Sequence, residues 1–264
     1  MKPYIYIFNL NILVYPIILV AALLSSVLAI HLCKKVQSYV FDEILKICPI
    51  ILIGAFIGGK LTYLLISVLS NNTLTIINLL GGFVFYGGVI GASTTLWIFR
   101  ERLEHTVLHY TDVLVIGLSL GQAIGRLGCY LNGCCYGIEY EGAIAIKYMV
   151  DGRLTCVFPT WFCESIFCVI LFIFLYKGCS KVNVGHHTAV YLITYSVFRF
   201  ILEFFRGDEI RGLGNYFSFS QAVSVIIFLT GIAIFVSSKR RSANYMFKVE
   251  RNNVNDYQQI STGI

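Results

Sequence analysis

Residues 8–30 read FNLNILVYPIILVAALLSSVLAI, 23 positions from Phe8 to Ile30 without one charged side chain. About 20 apolar residues in a helix cross the hydrocarbon core of a bilayer, so this run is long enough to span. A secretory signal peptide has an apolar stretch of only about 7–15 residues followed by a small-residue cleavage site. Neither feature is present here, and further apolar runs follow. The segment therefore reads as a retained first span. Composition agrees: of 264 residues, 57% are hydrophobic and 13% charged, against roughly 25% charged in a soluble domain.

Six more spans are expected outward from the first: Ile47–Leu69, Leu79–Phe99, Val113–Ile124 with an extension, Pro159–Tyr176, Thr188–Phe205 and Phe217–Ser237. The fourth is short and runs into Gly125-Arg126-Leu127-Gly128, which suggests a broken or re-entrant helix covered by protein or a water-filled cavity. Basic residues set the orientation. Lys34, Lys35 and Lys46 follow span one, and Arg100 and Arg102 follow span three. Lys177 and Lys181 follow span five, and Lys239, Arg240, Arg241, Lys248 and Arg251 follow span seven. The opposite side holds the uncharged loop Ser70–Asn78 and the segment Tyr130–Phe158, whose Lys147 and Arg153 are offset by Glu139, Glu141 and Asp151. The expected fold is thus all-α, a polytopic bundle of about seven spans with the amino terminus outside and the carboxyl terminus inside. Residues 1–238 form one integral-membrane domain, and residues 239–264 a basic, polar and loosely ordered cytoplasmic tail. The net charge of +6 belongs to loop ends and tail, where it favours anionic lipid. Nucleic-acid binding needs a basic face on a folded domain, and none is offered.

Ionisable residues inside a span cost roughly 2.5–3.5 kcal/mol each to insert, so they mark function. Span six carries Tyr195, Arg199, Glu203 and Arg206, spaced four, four and three, which places them on one helical face; an Arg199–Glu203 pair that merely neutralises itself is the plainer alternative. A second candidate is Gly125 to Gly137, GRLGCYLNGCCYG, with four glycines in 13 residues. Glycine there allows close backbone approach and positive φ, and the Arg126 guanidinium can grip a phosphate bidentately. A third is Gly81 to Gly88, GGFVFYGG, two glycine pairs around Tyr86 that would equally serve close helix packing. Lys60 follows Gly58-Gly59 and adds a cation. Of nine cysteines, those within spans read as small apolar packing residues. Cys129, Cys134 and Cys135 cluster beside Arg126 on the outer side, as free thiols or in a disulfide. A zinc site there would want histidine or a further cysteine, Cys156 being the nearest, so the reading takes no metal and no cofactor. Cations, glycine backbone and a membrane together point to an anionic amphiphile as ligand.

At these residues the chain resembles the prolipoprotein diacylglyceryl transferase family, from about Tyr15 to Ser237. The family's G-R-x-G-N-F-x-N-x-E-x-x-G is similar to Gly125–Gly137, with Cys129 at its asparagine and Cys134 at its glutamate. Its G-G-x-x-F-H-G-G resembles Gly81–Gly88 with Tyr86 at the histidine. Its Y-x-x-F-R-x-x-x-E-F-F-R matches Tyr195, Phe198, Arg199, Glu203, Phe204, Phe205 and Arg206. A degraded H-P-x-Q-L-Y-E lies at Phe158 to Glu164, and Tyr15 and Lys60 fall at the family's first-span tyrosine and second-span arginine. The resemblance implies transfer of a diacylglyceryl group from phosphatidylglycerol to a prolipoprotein lipobox cysteine, in the cytoplasmic membrane of a bacterial cell. It implies catalytic roles for Arg126, Arg199, Glu203 and Tyr86, and substrate contacts from Tyr15, Lys60, Gly87, Gly88, Asn132, Gly137, Tyr195 and Arg206. The alternatives are a phospholipid-dependent transferase with another acceptor, and a non-enzymatic lipid-binding, thiol or metal membrane protein.

Overall fold

The structure, a computed structural model, describes residues 4–7, 10–33, 38–69, 84–103, 106–150, 152–178, 183–207 and 218–262. The loop Ser70–Asn78, the motif start Gly81–Phe83, Lys34, Lys35 and the side chain of Tyr86 lie outside the described residues. Seven α-helices are present among those described: α1 Val14–Leu32, α2 Ser38–Leu69, α3 Phe85–Ile98, α4 Val107–Asn132, α5 Thr160–Gly178, α6 His186–Leu202 and α7 Phe219–Thr262. Six helical segments are long and apolar enough to cross a membrane, and the chain is a polytopic helical membrane protein. Large apolar side chains stay exposed along them, among them Leu24 at 64%, Phe56 at 61%, Phe174 at 63% and Ile226 at 63%. Apolar exposure on that scale is a liability in water and is matched by lipid.

Two antiparallel hairpins accompany the helices: β1 Tyr4–Ile7 with β2 Leu10–Leu13, and β3 Ile146–Val150 with β4 Arg153–Val157. The first corrects the expected span Phe8–Ile30, in which Leu10–Leu13 are strand. A helix begun at Phe8 would bury Pro16 in its interior, where the ring meets the carbonyl four residues back. Starting at Val14 instead puts Pro16 in the first turn, where the N–H it lacks would have had no intrahelical partner.

The fourth span is also corrected. Helix α4 runs unbroken through Gly125 and Gly128 to Asn132; Gly128 serves packing, whereas a Cβ on Gly125 would meet nothing within 4 Å. A Cβ on Gly128 would lie 3.1 Å from Ile18 Cγ2 and 3.4 Å from Tyr15 Cδ2, and one on Gly121 would collide with the Ser26 hydroxyl. The same face of α4 therefore seats α1. At the other end of the chain, α7 continues to Thr262, past the Ser237 where the sequence reading ends the span.

The chain divides into two compact units, Lys34–Tyr110 and the remainder, Met1–Cys33 with Thr111–Ile264. In the Lys34–Tyr110 unit, α2 and α3 meet through Gly54, Gly58, Gly87 and Gly91. A Cβ on Gly58 would strike the Gly87 carbonyl, and one on Gly91 the Gly54 carbonyl. Small residues four apart on both helices are what let two membrane helices approach to backbone contact. In the larger unit, Val115 and Ile116 of α4, Leu171 and Leu175 of α5 and Tyr191 of α6 form the apolar core. Asp112 of α4 sits at the amino end of α6, accepting bonds from the Gly185 and Thr188 amides at 2.5 and 2.8 Å and from the Thr188 hydroxyl at 2.7 Å. A carboxylate there satisfies orphan donors and opposes the helix dipole, which fixes α6 along α4.

Candidate functional site

On α4, Gln122, Arg126 and Cys129 are spaced four and three and share a face. Within it Arg126 lies about 140–160° round the helix from Gly121 and Gly128, so the guanidinium turns away from α1. On α6, Tyr191, Tyr195 and Arg199 repeat at four-residue intervals. The two polar stripes meet: the Tyr191 hydroxyl donates to Gln122 Oε1 at 2.7 Å. The Tyr191 and Tyr195 rings stack with centroids 5.6 Å apart.

Between the stripes stands Glu164 of α5, 2% exposed. Its Oε1 lies 2.8 Å from Arg126 Nη2 and accepts the Tyr195 hydroxyl at 2.8 Å, and its Oε2 lies 3.9 Å from Arg199 Nη1. Arg199 Nη2 pairs with Glu203 Oε2 at 2.8 Å. The Arg199–Glu203 pair is thus one arm of a network of two arginines and two carboxylates, each arginine reached by Glu164. An ion buried in low dielectric is tolerable when paired and hydrogen-bonded, and here the charges of the four groups sum to zero. Arg126 keeps a side-chain exposure of 20% against 2% for Glu164. Its carboxylate contact fixes one edge of the guanidinium, and the remaining donors stay accessible to an anion.

Sequence reasoning placed Arg126, Arg199, Glu203 and Tyr195 together, and the structure joins them. It passed over Glu164, the residue that connects them. The signal was the final glutamate of the degraded motif Phe158–Glu164, and two arginines against one glutamate within the spans called for another carboxylate. Arg206 does not continue the stripe: α6 ends at Leu202, a 3₁₀ turn covers Glu203–Phe205, and Arg206 is extended at φ −81°, ψ 137°. It pairs there with Gly137 in an isolated antiparallel bridge. A Cβ on Gly137 would strike the Phe158 carbonyl, so this glycine is where two chain segments cross. Tyr15 packs beside Gly128, two residues from Arg126 on α4 and on the other side of that helix. Lys60, Gly87 and Gly88 belong to the Lys34–Tyr110 unit, where Gly87 abuts Thr62 and Gly58 and the Lys60 ammonium lies 5.8 Å from the Tyr63 ring centroid.

The carboxyl end of α4 brings the cysteines together. Gly133 adopts φ +82°; its N–H donates to the Tyr130 carbonyl at 3.4 Å, and the Cys134 N–H to the Cys129 carbonyl at 3.2 Å. This is the Schellman arrangement, which uses glycine at the left-handed position and folds the chain back over the last turn. Cys134 therefore returns onto Cys129, and Cys135, itself at φ 60°, turns the next thiol inward. All three Sγ atoms lie within 4.8 Å of one another, as free thiols. Asn132, at the exposed helix end, reaches Cys134. Hydrogen bonds from the Cys129 and Cys134 thiols, aided by Arg206 and Arg126 and opposed by burial, hold the Cys135 thiol well below its ordinary pKa. The loop is pinned from outside: Trp161 Nε1 donates to the Cys134 carbonyl at 2.6 Å, Thr160 to the Cys135 carbonyl at 2.8 Å, and Tyr148 to the Tyr130 carbonyl at 2.7 Å. Burial pushes the Tyr148 hydroxyl up to about 12, so it remains a donor.

A family model described as prolipoprotein diacylglyceryl transferase matches residues 3–237. Among curated relatives, the phosphatidylglycerol–prolipoprotein diacylglyceryl transferase of Clostridium tetani is 31% identical over 242 residues, 89% of this chain and 97% of the relative. The protein of Clostridium perfringens named phosphatidylglycerol–prolipoprotein diacylglyceryl transferase 2 is 36% identical over 162 residues, 60% of this chain. The match spans just under two thirds of that relative's length, 63%. The Streptococcus pneumoniae enzyme of the same name is 29% identical over 181 residues, 65% of this chain and 68% of the relative.

Proposed function

The chain belongs to the prolipoprotein diacylglyceryl transferase family, and we propose that it moves a diacylglyceryl group from phosphatidylglycerol to the cysteine thiol of a prolipoprotein. The observation that carries this reading is the convergence of Arg126 and Arg199 on the buried Glu164. The reaction joins the acceptor sulfur to the terminal glycerol carbon of the diacylglyceryl group and breaks that carbon's bond to a phosphate ester oxygen. The electron pair leaves with glycerol phosphate, and the acceptor thiol gives up its proton. Charge therefore develops on the departing phosphate, where preoriented cations stabilise the transition state more than the ground state.

Arg126 and Arg199 take that role. Glu164 and Glu203 act as positioning residues that hold the two guanidiniums in place before substrate arrives, and Tyr195 supports Glu164. Tyr15 and Asn132 are contacts to the lipid donor beside the carboxyl half of α4, and Gly137 with Arg206 closes the site at its loop end. Lys60, Tyr86, Gly87 and Gly88, all of the Lys34–Tyr110 unit, are carried over from the family resemblance as contacts to the lipid donor. Loop charges put the amino terminus and the Tyr130–Phe158 segment outside the cytoplasmic membrane of a bacterial cell, the side from which a secreted prolipoprotein would present its cysteine.

The test is transfer in vitro, with purified protein, phosphatidylglycerol carrying labelled acyl chains, and a lipobox peptide with its cysteine or with serine in its place. The expected product is a diacylglyceryl thioether on the cysteine peptide, with one glycerol phosphate released per transfer. Release without peptide lipidation, or lipidation of the serine peptide, would refute the proposed acceptor.

A further inference from the structure

Three sulfurs gathered at one helix end are more than packing requires. Cys129, Cys134 and Cys135 come from a capped turn whose carbonyls are bound by Trp161 and Thr160, and the backbone of Cys135 is left-handed. That conformation is sparsely populated by residues other than glycine, asparagine and aspartate, and it costs on the order of 1–3 kcal/mol. The strain directs the third thiol toward the other two. Zinc binds thiolate sulfur at about 2.3 Å, so tetrahedral ligation sets neighbouring sulfurs about 3.8 Å apart. From separations of 4.8 Å or less, the three need to close by only about 1 Å, within reach of small side-chain rotations.

We propose that Cys129, Cys134 and Cys135 form a three-thiolate zinc site whose open fourth position takes the acceptor thiol. Soft thiolate donors select zinc or copper(I) over hard cations. Three protein ligands and one open position are the pattern of a zinc site that handles substrate, and a thiol that enters such a position is deprotonated outright. The metal site stands on the three thiols alone; its use rests on the transferase reading, whose acceptor is a thiol.

The step then balances without redox chemistry. The acceptor thiol releases its proton to solvent on coordination. Its sulfur pair forms the bond to the glycerol carbon while the carbon–oxygen pair departs with glycerol phosphate, and the neutral thioether, a weaker ligand than a thiolate, leaves. Arg126 lies one turn before Cys129 on the same face of α4, so the bound nucleophile and the leaving phosphate would be served from adjacent turns. Arg126 acts electrostatically on Cys129 and Cys135, and Arg206 on Cys135, which offsets the anionic charge of a zinc–thiolate centre. Zinc would thereby supply the proton-removing function.

The experiment uses the full chain in detergent, purified under reductant, stripped with a chelator and given zinc. Elemental mass spectrometry is expected to find one tightly held zinc per chain, and cobalt(II) substitution to give thiolate-to-metal charge-transfer absorption. Cys129→Ser, Cys134→Ser and Cys135→Ser should each weaken zinc retention by at least about tenfold, the scale of losses from mere outer-shell partners; Cys48→Ser on α2 should not. Transfer to the lipobox peptide should fall on stripping and return with zinc. Wild-type metal content does not depend on whether the variants fold. A protein that holds no zinc, that prefers copper(I), or that forms a Cys–Cys disulfide in place of the site would overturn the proposal. So would transfer that survives stripping, and in that case the transferase reading would stand. Zinc binding with no transfer to any thiol peptide would instead remove the transferase reading and, with it, the proposed use of the fourth position.

Discussion

Replacing Glu164 with glutamine keeps its shape and removes its charge, a perturbation aimed at the centre of the arginine network. At an effective dielectric of about 20, unit charges 2.8 and 3.9 Å apart attract by roughly 6 and 4 kcal/mol. Much of that attraction is cancelled by the desolvation of a carboxylate with only 2% of its surface exposed. The net loss on breaking a buried pair is about 3–5 kcal/mol, because the partner charge remains buried and uncompensated. Glutamine can still accept from Tyr195 or from one guanidinium, so Glu164→Gln should cost about 2–3 kcal/mol and Glu164→Ala about 3–5 kcal/mol. The catalytic effect should be separable from this. A guanidinium free to swing by about 1 Å loses on the order of 100-fold in rate, and a loss confined to the transition state falls on kcat with KM little changed. The assays are thermal unfolding in detergent and initial rates of peptide lipidation over a range of phosphatidylglycerol concentrations. Wild-type melting and wild-type kcat in the glutamine variant would show that Glu164 neither anchors the arginines nor positions them.

Arg199→Ala should cut transfer by about 100- to 1,000-fold while the protein still inserts, and Arg199→Lys should recover little, because lysine lacks the planar fork; near-normal turnover in both would make the arginine structural. Gly58→Ala puts a Cβ against the Gly87 carbonyl, and should destabilise the α2–α3 pair by about 1–3 kcal/mol, read as an earlier unfolding step. Since Cys135 is held below the ordinary thiol value, its alkylation in chelator-treated protein should slow much less than the roughly tenfold per pH unit of a free thiol as pH falls from 8 to 6. The same depressed folded pKa means that its stabilising contribution is complete above about pH 8.5 and fades as pH falls toward the folded value. An ordinary tenfold slope would refute both. In intact cells, an impermeant reagent should label a cysteine introduced at Gly142 and spare one at Leu103; the reverse pattern would invert the proposed topology.

Much of this protein is legible along the chain, because a membrane span declares itself by the length of one apolar run and a helical site by the spacing of its polar residues. The polytopic helical class, and the grouping of Tyr195, Arg199 and Glu203 on one stripe, follow from those local patterns. What spacing cannot report is which stripe faces which. Glu164 stands as one acid in an apolar helix, and only the packing of α4, α5 and α6 sets it between two arginines. Equally, Gly128 carries the same local signal whether it breaks a helix or seats a neighbour. The side chains of Tyr15 and Ile18 decide for seating, and Gly133 alone acts as the helix stop. Arg206 keeps its helical spacing in sequence but not in space, because the chain leaves the helix to pair with Gly137. The cysteines depended on the fold in the same way. As residues they read as thiols beside an arginine, and the capped turn at the end of α4, held by Trp161 and Thr160, makes them a cluster, since a reversal of chain direction brings together sulfurs that linear spacing leaves apart.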